Sequence, residues 1–259
     1  MELLGTILIC ILAGMGAGLG TGFAGMSAAV VISPMLVTFL GVNAFQAIGI
    51  ALASDVLASA ASAYTYGKNK NIDLKNSKLL LISVLIFTLI GTGISYFVPT
   101  TTLGNFTVYL SLIMGISFFR KSFKEKTPQK IHEFQGKMRV IMPILCGTII
   151  GLICGFIGAG GGMMMLMLLT SVLGYELKMA VGTSVFIMTF TALFGSVSHF
   201  TLEGSMPDPL IFATCVLSTL TFALLGARFA NRASYKVLNR SIGIVLMTLG
   251  VFMVVANHF

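Results

Sequence analysis

Charge is what this chain has least of. Only 9% of its 259 residues are charged, against 56% hydrophobic, and the mean hydropathy is +0.99. So few charged groups cannot cover a folded surface in water, which excludes a water-soluble globular protein. Cysteine is scarce too. Cys10, Cys146, Cys154 and Cys215 lie in apolar stretches with no CxxC or metal-ligand spacing, which reads as buried reduced thiols. No GxSxG, HExxH or phosphate-binding loop occurs, so nothing marks a hydrolase, a zinc enzyme or an ATP-driven machine. The net charge of +8 sits in three short loops between apolar runs, a matter of membrane topology rather than of nucleic-acid binding. No cofactor or metal is expected; the run Met163, Met164, Met165 and Met167 points around a helix and suits flexible packing.

Apolar stretches of helical length recur from end to end. That pattern predicts an all-α, polytopic membrane protein rather than a barrel, whose faces would alternate residue by residue. The first half carries apolar segments near 4–23, 26–41, 44–66, 77–98 and 102–119, and the second near 140–157, 161–174, 177–200, 208–227 and 237–256. The run at 3–12 continues through a glycine cluster with no strongly basic region before it, so it is expected to be a retained helix. The domain reading is a first membrane repeat at 1–119, a basic linker at 120–138 and a second repeat at 139–259.

The two halves are related. GLGTGFAGMSAA from Gly18 returns as GLICGFIGAGGG from Gly151, and Gly22/Gly155, Phe23/Phe156, Gly25/Gly158, Gly41/Gly174 and Gly49/Gly182 match at the same offset without a gap. Lys68, Lys70, Lys75 and Lys78 follow the third segment, whereas the equivalent loop 201–209 carries only Glu203 and Asp208. In the next pair of loops the bias reverses: 98–103 is uncharged, and its counterpart holds Arg228, Arg232, Lys236 and Arg240. Positive residues mark the cytoplasmic side, so the repeats are expected to be inverted, with a cytoplasmic linker and both termini outside. Inversion needs an odd number of crossings per half. Either all five segments cross, or the second and third form a re-entrant hairpin and three cross; ten segments, some short and broken, is the reading adopted.

Glycine clusters break helices, and broken helices at matching places in two halves point to a transport site. The helix start after the AGGG of residues 159–162 offers free amides and dipole charge to an anion, and Gly22 to Ser27 offers the equivalent start with a hydroxyl. Close packing is the alternative use of such glycines. Further polar groups follow at Gly182, Thr183 and Ser184. Asp55, Ser59, Ser62 and Tyr66 share one helix face at i, i+4, i+7 and i+11. Asp55 is the carboxylate expected well inside an apolar segment, either to take a coupling proton or to cap a broken helix. His199 is read as a coupling group or an interfacial residue beside the acidic loop.

The stretches GLICGFIGAGGGMMMLMLL and LKMAVGTSVFIMTFTALFGSVSH resemble the second-half signature of the TauE/SafE sulfite exporter family, and 18–34 with AIGIALASDVLASAASAYTYGKNKNIDLK resembles its first half. Ala28 and Ala29 depart from that pattern by replacing glycines. The resemblance implies an inner-membrane secondary permease for small sulfur-containing anions such as sulfite, sulfoacetate or related organosulfonates, coupled to protons. It implies substrate contact at Gly155, Phe156, Gly158, Gly160, Gly161, Gly162, Gly182, Thr183 and Ser184, faced by Gly22, Phe23, Gly25 and Ser27. A non-transporting membrane subunit and a sulfur-handling membrane enzyme are the alternatives, and oligomeric state stays open.

Overall fold

The computed structural model describes residues 3–75, 77–95, 138–157, 161–203 and 206–234, with isolated helical positions at 113–120 and 236–255. Most of the 102–119 and 237–256 segments, nearly all of the linker, and Gly158 and Gly160 lie outside the described residues. Eight described helices follow in order: α1 Leu3–Ala24, α2 Ala29–Leu40, α3 Ala44–Lys68, α4 Lys78–Ser95, α5 Met138–Ile157, α6 Gly161–Ser171, α7 Leu177–Glu203 and α8 Pro209–Arg232. α1, α3, α7 and α8 are long and apolar enough to cross a membrane. α2 and α6, of 12 and 11 residues, reach only about 18 Å at about 1.5 Å per residue, so the breaks shorten the chain's second helix in each half.

Local chemistry sets the boundaries. Asn43 accepts from the Phe45 amide at 2.9 Å and opens α3, while Asp208 accepts from the amides of Leu210 and Ile211 at 2.8 and 3.3 Å and opens α8 with Pro209 in its first turn. The two short helices end alike. Gly41 and Gly174 turn left-handed at φ 65° and 71°, and the next amides, Val42 and Tyr175, return to Leu36 and Leu169 carbonyls at 3.2 and 2.8 Å.

The duplicated glycines also explain how the halves lock together. In α1, a Cβ on Gly18 would stand 2.8 Å from the Ala223 amide and 2.9 Å from Phe222 Cβ, and one on Gly22 would stand 2.5 Å from the Ala223 carbonyl, so the backbones of α1 and α8 touch. In α5, a Cβ on Gly151 would stand 2.5 Å from the Val84 carbonyl and 2.8 Å from Phe87 Cβ, and Gly155 lies against Thr88 and Thr92 of α4. Each half's first helix thus packs its small-residue face on the fourth helix of the other half. Gly18→Val would drive side-chain atoms into backbone on α8. Such overpacking is expected to cost about 3 kcal/mol, read as a lowered thermal midpoint in detergent, and Gly151→Val should do the same through α4.

Between these pairs, α3 and α7 run antiparallel. Gly49 meets Phe200, Leu52 meets Gly195, and Tyr66 meets Gly182. At one end of this pair the loop after α3 joins the start of α7 and the end of α8. Asn71 donates to Asn231 at 2.9 Å, Lys178 to the Asn231 carbonyl at 2.8 Å, the Asp73 amide to Thr183 Oγ1 at 3.1 Å and Tyr175 to Asp73 Oδ2 at 3.0 Å. The exposed Lys68, Lys70, Lys75, Arg228 and Arg232 of both halves gather at this same end, whereas position 203 closes the opposite end of α7 and Asp208 comes after it. Burial, and then the charge and bond of Asp73, push the Tyr175 phenol up from its ordinary value. A phenol raised in the folded state keeps its bond below the ordinary tyrosine value and loses it only as pH climbs beyond, so Tyr175→Phe is expected to cost about 1 kcal/mol throughout the neutral range, checked by thermal midpoints from pH 6 to 8.

Candidate functional site

The two helix breaks meet. Gly25 sits between α1 and α2 at φ 60°, and any Cβ there would collide with Ser184 Oγ of α7 and stand 3.3 Å from Val185 Cγ1. At the start of α6, a Cβ on Gly162 would collide with the Gly25 carbonyl oxygen and stand 3.0 Å from Met188 Sδ. Only glycine allows this approach, and at Gly25 only glycine takes the left-handed turn without strain. Gly25, Gly162 and Ser184, all expected in the site, are therefore one cluster, drawn from α1–α2, α6 and α7. Gly161 opens α6 beside them.

Asp55, on α3 and wholly buried, closes the first break. Its Oδ2 accepts from Ser27 Oγ and from the Ala28 amide, both at 2.7 Å, and Oδ1 lies 3.3 Å from the donating Thr21 hydroxyl. Ser27 Oγ in turn accepts from the Ala29 amide at 3.3 Å. α2 has no side-chain cap from Ala28, its own N-cap residue, so a carboxylate on another helix satisfies its first amide. Of the two uses considered for Asp55, capping is realised in this geometry. Thr21 was not singled out by sequence reasoning; its role shows only once α1 and α3 are placed side by side.

The second break is built differently. The position 133 residues after Asp55 is Met188, and its sulfur reaches Gly162 where Asp55 would reach the first helix start. A side chain without formal charge stands at the start of α6. Laying the repeats over one another would have found this pair, since the offset that relates the glycines also relates Asp55 to Met188.

The remaining expected residues fall in several places. Ser59 Oγ donates to the Asp55 carbonyl within its own helix, Tyr66 donates to the Gly22 carbonyl at 3.1 Å, and Ser62 Oγ, fully buried, has no hydrogen-bond partner among the described residues. Gly22 serves helix packing and the Tyr66 bond. Gly155 is held against α4. Phe23 turns its ring to Phe229 of α8, centroids 5.5 Å apart, rather than toward Gly25. Gly182 and Thr183 are taken up by residues 71–73. The side chain of Phe156 lies outside the described residues. His199 is not at a wet interface: it is buried against Phe45, ring centroids 4.1 Å apart, and neither ring nitrogen has a partner among the described residues.

Fold and site define the class first: a multi-pass α-helical membrane protein whose two related halves bring their broken helices together in the interior. The chain belongs to the Sulfite exporter TauE/SafE family, whose model it matches over residues 10–253. It is similar to "Probable membrane transporter protein MJ0441" of Methanocaldococcus jannaschii, 27% identical over 218 residues that cover 80% of this chain and 78% of that protein. It is also similar to two Bacillus subtilis proteins carrying the same description. YunE is 24% identical across 90% of this chain and 89% of its own length, and YdhB is 22% identical across 87% and 91%. The protein is a membrane transporter by family and relatives, which agrees with the expectation that it is not an enzyme.

Proposed function

We propose that the chain is a proton-coupled secondary transporter of a small sulfur-containing anion, such as sulfite, sulfoacetate or a related organosulfonate. The anion is held where the broken helices meet. The observation that carries this reading is the inequality of the two breaks. At the first, the Asp55 carboxyl already accepts from the Ala28 amide and so fills the start of α2. At the second, Met188 stands in the corresponding place beside Gly162, so the amides and dipole of α6 are left to attract a mobile anion. Gly161, Gly162 and Ser184 hold it among the described residues; Gly158 and Gly160, also proposed to contact it, lie outside them. An anion held by amides and a hydroxyl rather than by a lysine or arginine is also more readily released, as transport requires.

The antiparallel packing of α3 on α7, its repeat mate, supports an inverted repeat. The gathering of basic residues at one end supports a cytoplasmic assignment for that end in an inner membrane, with both termini outside. Asp55 is the coupling group in this reading: it takes a coupling proton and so is neutral as the anion arrives. His199 is the second coupling candidate at the far end of α7. The test is a thermal-shift screen of purified protein against sulfite, thiosulfate, sulfoacetate, taurine and sulfate. The reading expects one or more sulfur anions to raise the midpoint, with the shift lost in Gly162→Val; no shift with any of them would count against it.

A further inference from the structure

The stripe on α3 has a direction. From Asp55 it runs through Ser59 and Ser62 to Tyr66, four wholly buried polar side chains on one face. Eleven residues span about 16 Å at about 1.5 Å each, and the stripe ends one turn before the lysine-bearing loop, where the Asn71 amide bonds the Tyr66 carbonyl at 2.9 Å. The equivalent face of α7 reads Met188, Ala192, Gly195 and His199. Three of those four offer no exchangeable proton. On α3, therefore, a run of buried hydroxyls leads from the centre toward the basic end, while the repeat-related positions of α7 do not reproduce it.

Two further observations bear on what the track carries. Ser62 Oγ is fully buried and unpartnered among the described residues, the mark of a seat for a water or another small polar guest. Around Asp55 the hydrogens do not balance for a carboxylate. Thr21 has one hydroxyl proton but faces three acceptors: the Ala17 carbonyl at 3.0 Å, the Met26 carbonyl at 2.8 Å and Asp55 Oδ1 at 3.3 Å. Oδ2 already takes two donors. A proton on Oδ1 completes the count. The groups bonded to the carboxyl, Thr21 of α1 with Ser27 and Ala28 before α2, are all neutral. The charged residues of α7 and α8 whose side chains are described, Lys178, Arg228 and Arg232, lie in their terminal turns, and His199 is packed on Phe45 at the far end of α7.

We propose that Asp55 exchanges its proton with the basic end of the molecule, through a water seated on Ser62 and the hydroxyls of Ser59 and Tyr66. Each hydroxyl or water takes one proton and passes another on, so nothing along the track changes its net charge. The proposal rests on the proton-coupled reading above and adds to it the side from which the coupling proton comes.

The experiment is infrared difference spectroscopy on the full chain in proteoliposomes sorted by orientation, with D2O introduced on one face. The protonated Asp55 carboxyl is identified as the band absent from Asp55→Asn. Its deuterium shift is expected to be faster from the basic face, to slow about tenfold or more in Ser62→Ala, equivalent to about 1.4 kcal/mol, and to recover in Ser62→Thr, which restores the hydroxyl. Equal rates in Ser62→Ala and wild type, faster exchange from the opposite face, or no band that depends on Asp55 would each overturn the proposal. Sulfite counterflow in the wild-type vesicles, which needs no net proton movement, is measured alongside. Its failure with normal exchange removes the transport reading, while normal counterflow with Ser62-independent exchange removes only the route.

Discussion

Gly162→Val is expected to abolish transport without preventing membrane insertion. The wild-type backbone leaves no room at this point, because even a Cβ would collide with the Gly25 carbonyl. That carbonyl is backbone and cannot swing aside as a side-chain tip would. The strain must be relieved by moving α6 away from the first break, which separates the two helix starts that the proposed site needs together. Displacements on the order of 1 Å at a site of fixed geometry cost about a hundredfold in rate, and flux in proteoliposomes should fall by at least that factor. Residue 162 takes no part in the contacts of Gly18 with α8 or of Gly151 with α4, so expression and thermal midpoint should suffer less than in Gly18→Val. Unchanged flux with the variant correctly inserted would remove the meeting of the breaks from the mechanism.

Asp55→Ala should be the most damaging change on α3, and for two separable reasons. The first is structural. The Ala28 amide and Ser27 Oγ lose the acceptor they share in a fully buried place, while Thr21 keeps the Ala17 and Met26 carbonyls. Orphaned buried donors cost about 1–3 kcal/mol each, so a midpoint drop of several degrees is expected. The second is functional, since the proposed coupling proton goes with the carboxyl. Asp55→Asn separates the two. Its amide oxygen can still accept from Ser27 and Ala28, which should restore much of the thermal midpoint, but it carries no titratable proton. Proton-driven accumulation is therefore expected to be lost in both variants, while counterflow survives in Asp55→Asn. Accumulation at the wild-type level in Asp55→Asn would leave Asp55 a cap and nothing more.

Much of the architecture could be read from composition and offset, because in a membrane both are strong signals. Lipid demands long apolar helices, so eight described helices stand where apolar runs were expected, and the glycine clusters do end α1 and begin α6. The fate of individual glycines was less legible. Gly22 and Gly155, expected beside substrate, let α1 approach α8 and α5 approach α4, a pairing between halves that no local pattern announces. Gly182 and Thr183 looked like the polar start of a binding helix. They instead receive residues 71–73, because the loop after α3 folds back over the start of α7. His199 was placed by its acidic sequence neighbours, but helical rotation turns it inward onto Phe45. Asp55 was legible as an intramembrane carboxylate, while its partner Thr21 depended on the third dimension.

Uptake or release of radiolabelled sulfite and sulfonates by proteoliposomes containing the purified protein, with and without an imposed pH gradient, tests the central claim most directly. The account predicts saturable flux of at least one small sulfur-containing anion, driven uphill by the gradient and absent in Gly162→Val. A folded, correctly inserted preparation that moves none of these anions in either direction would contradict it.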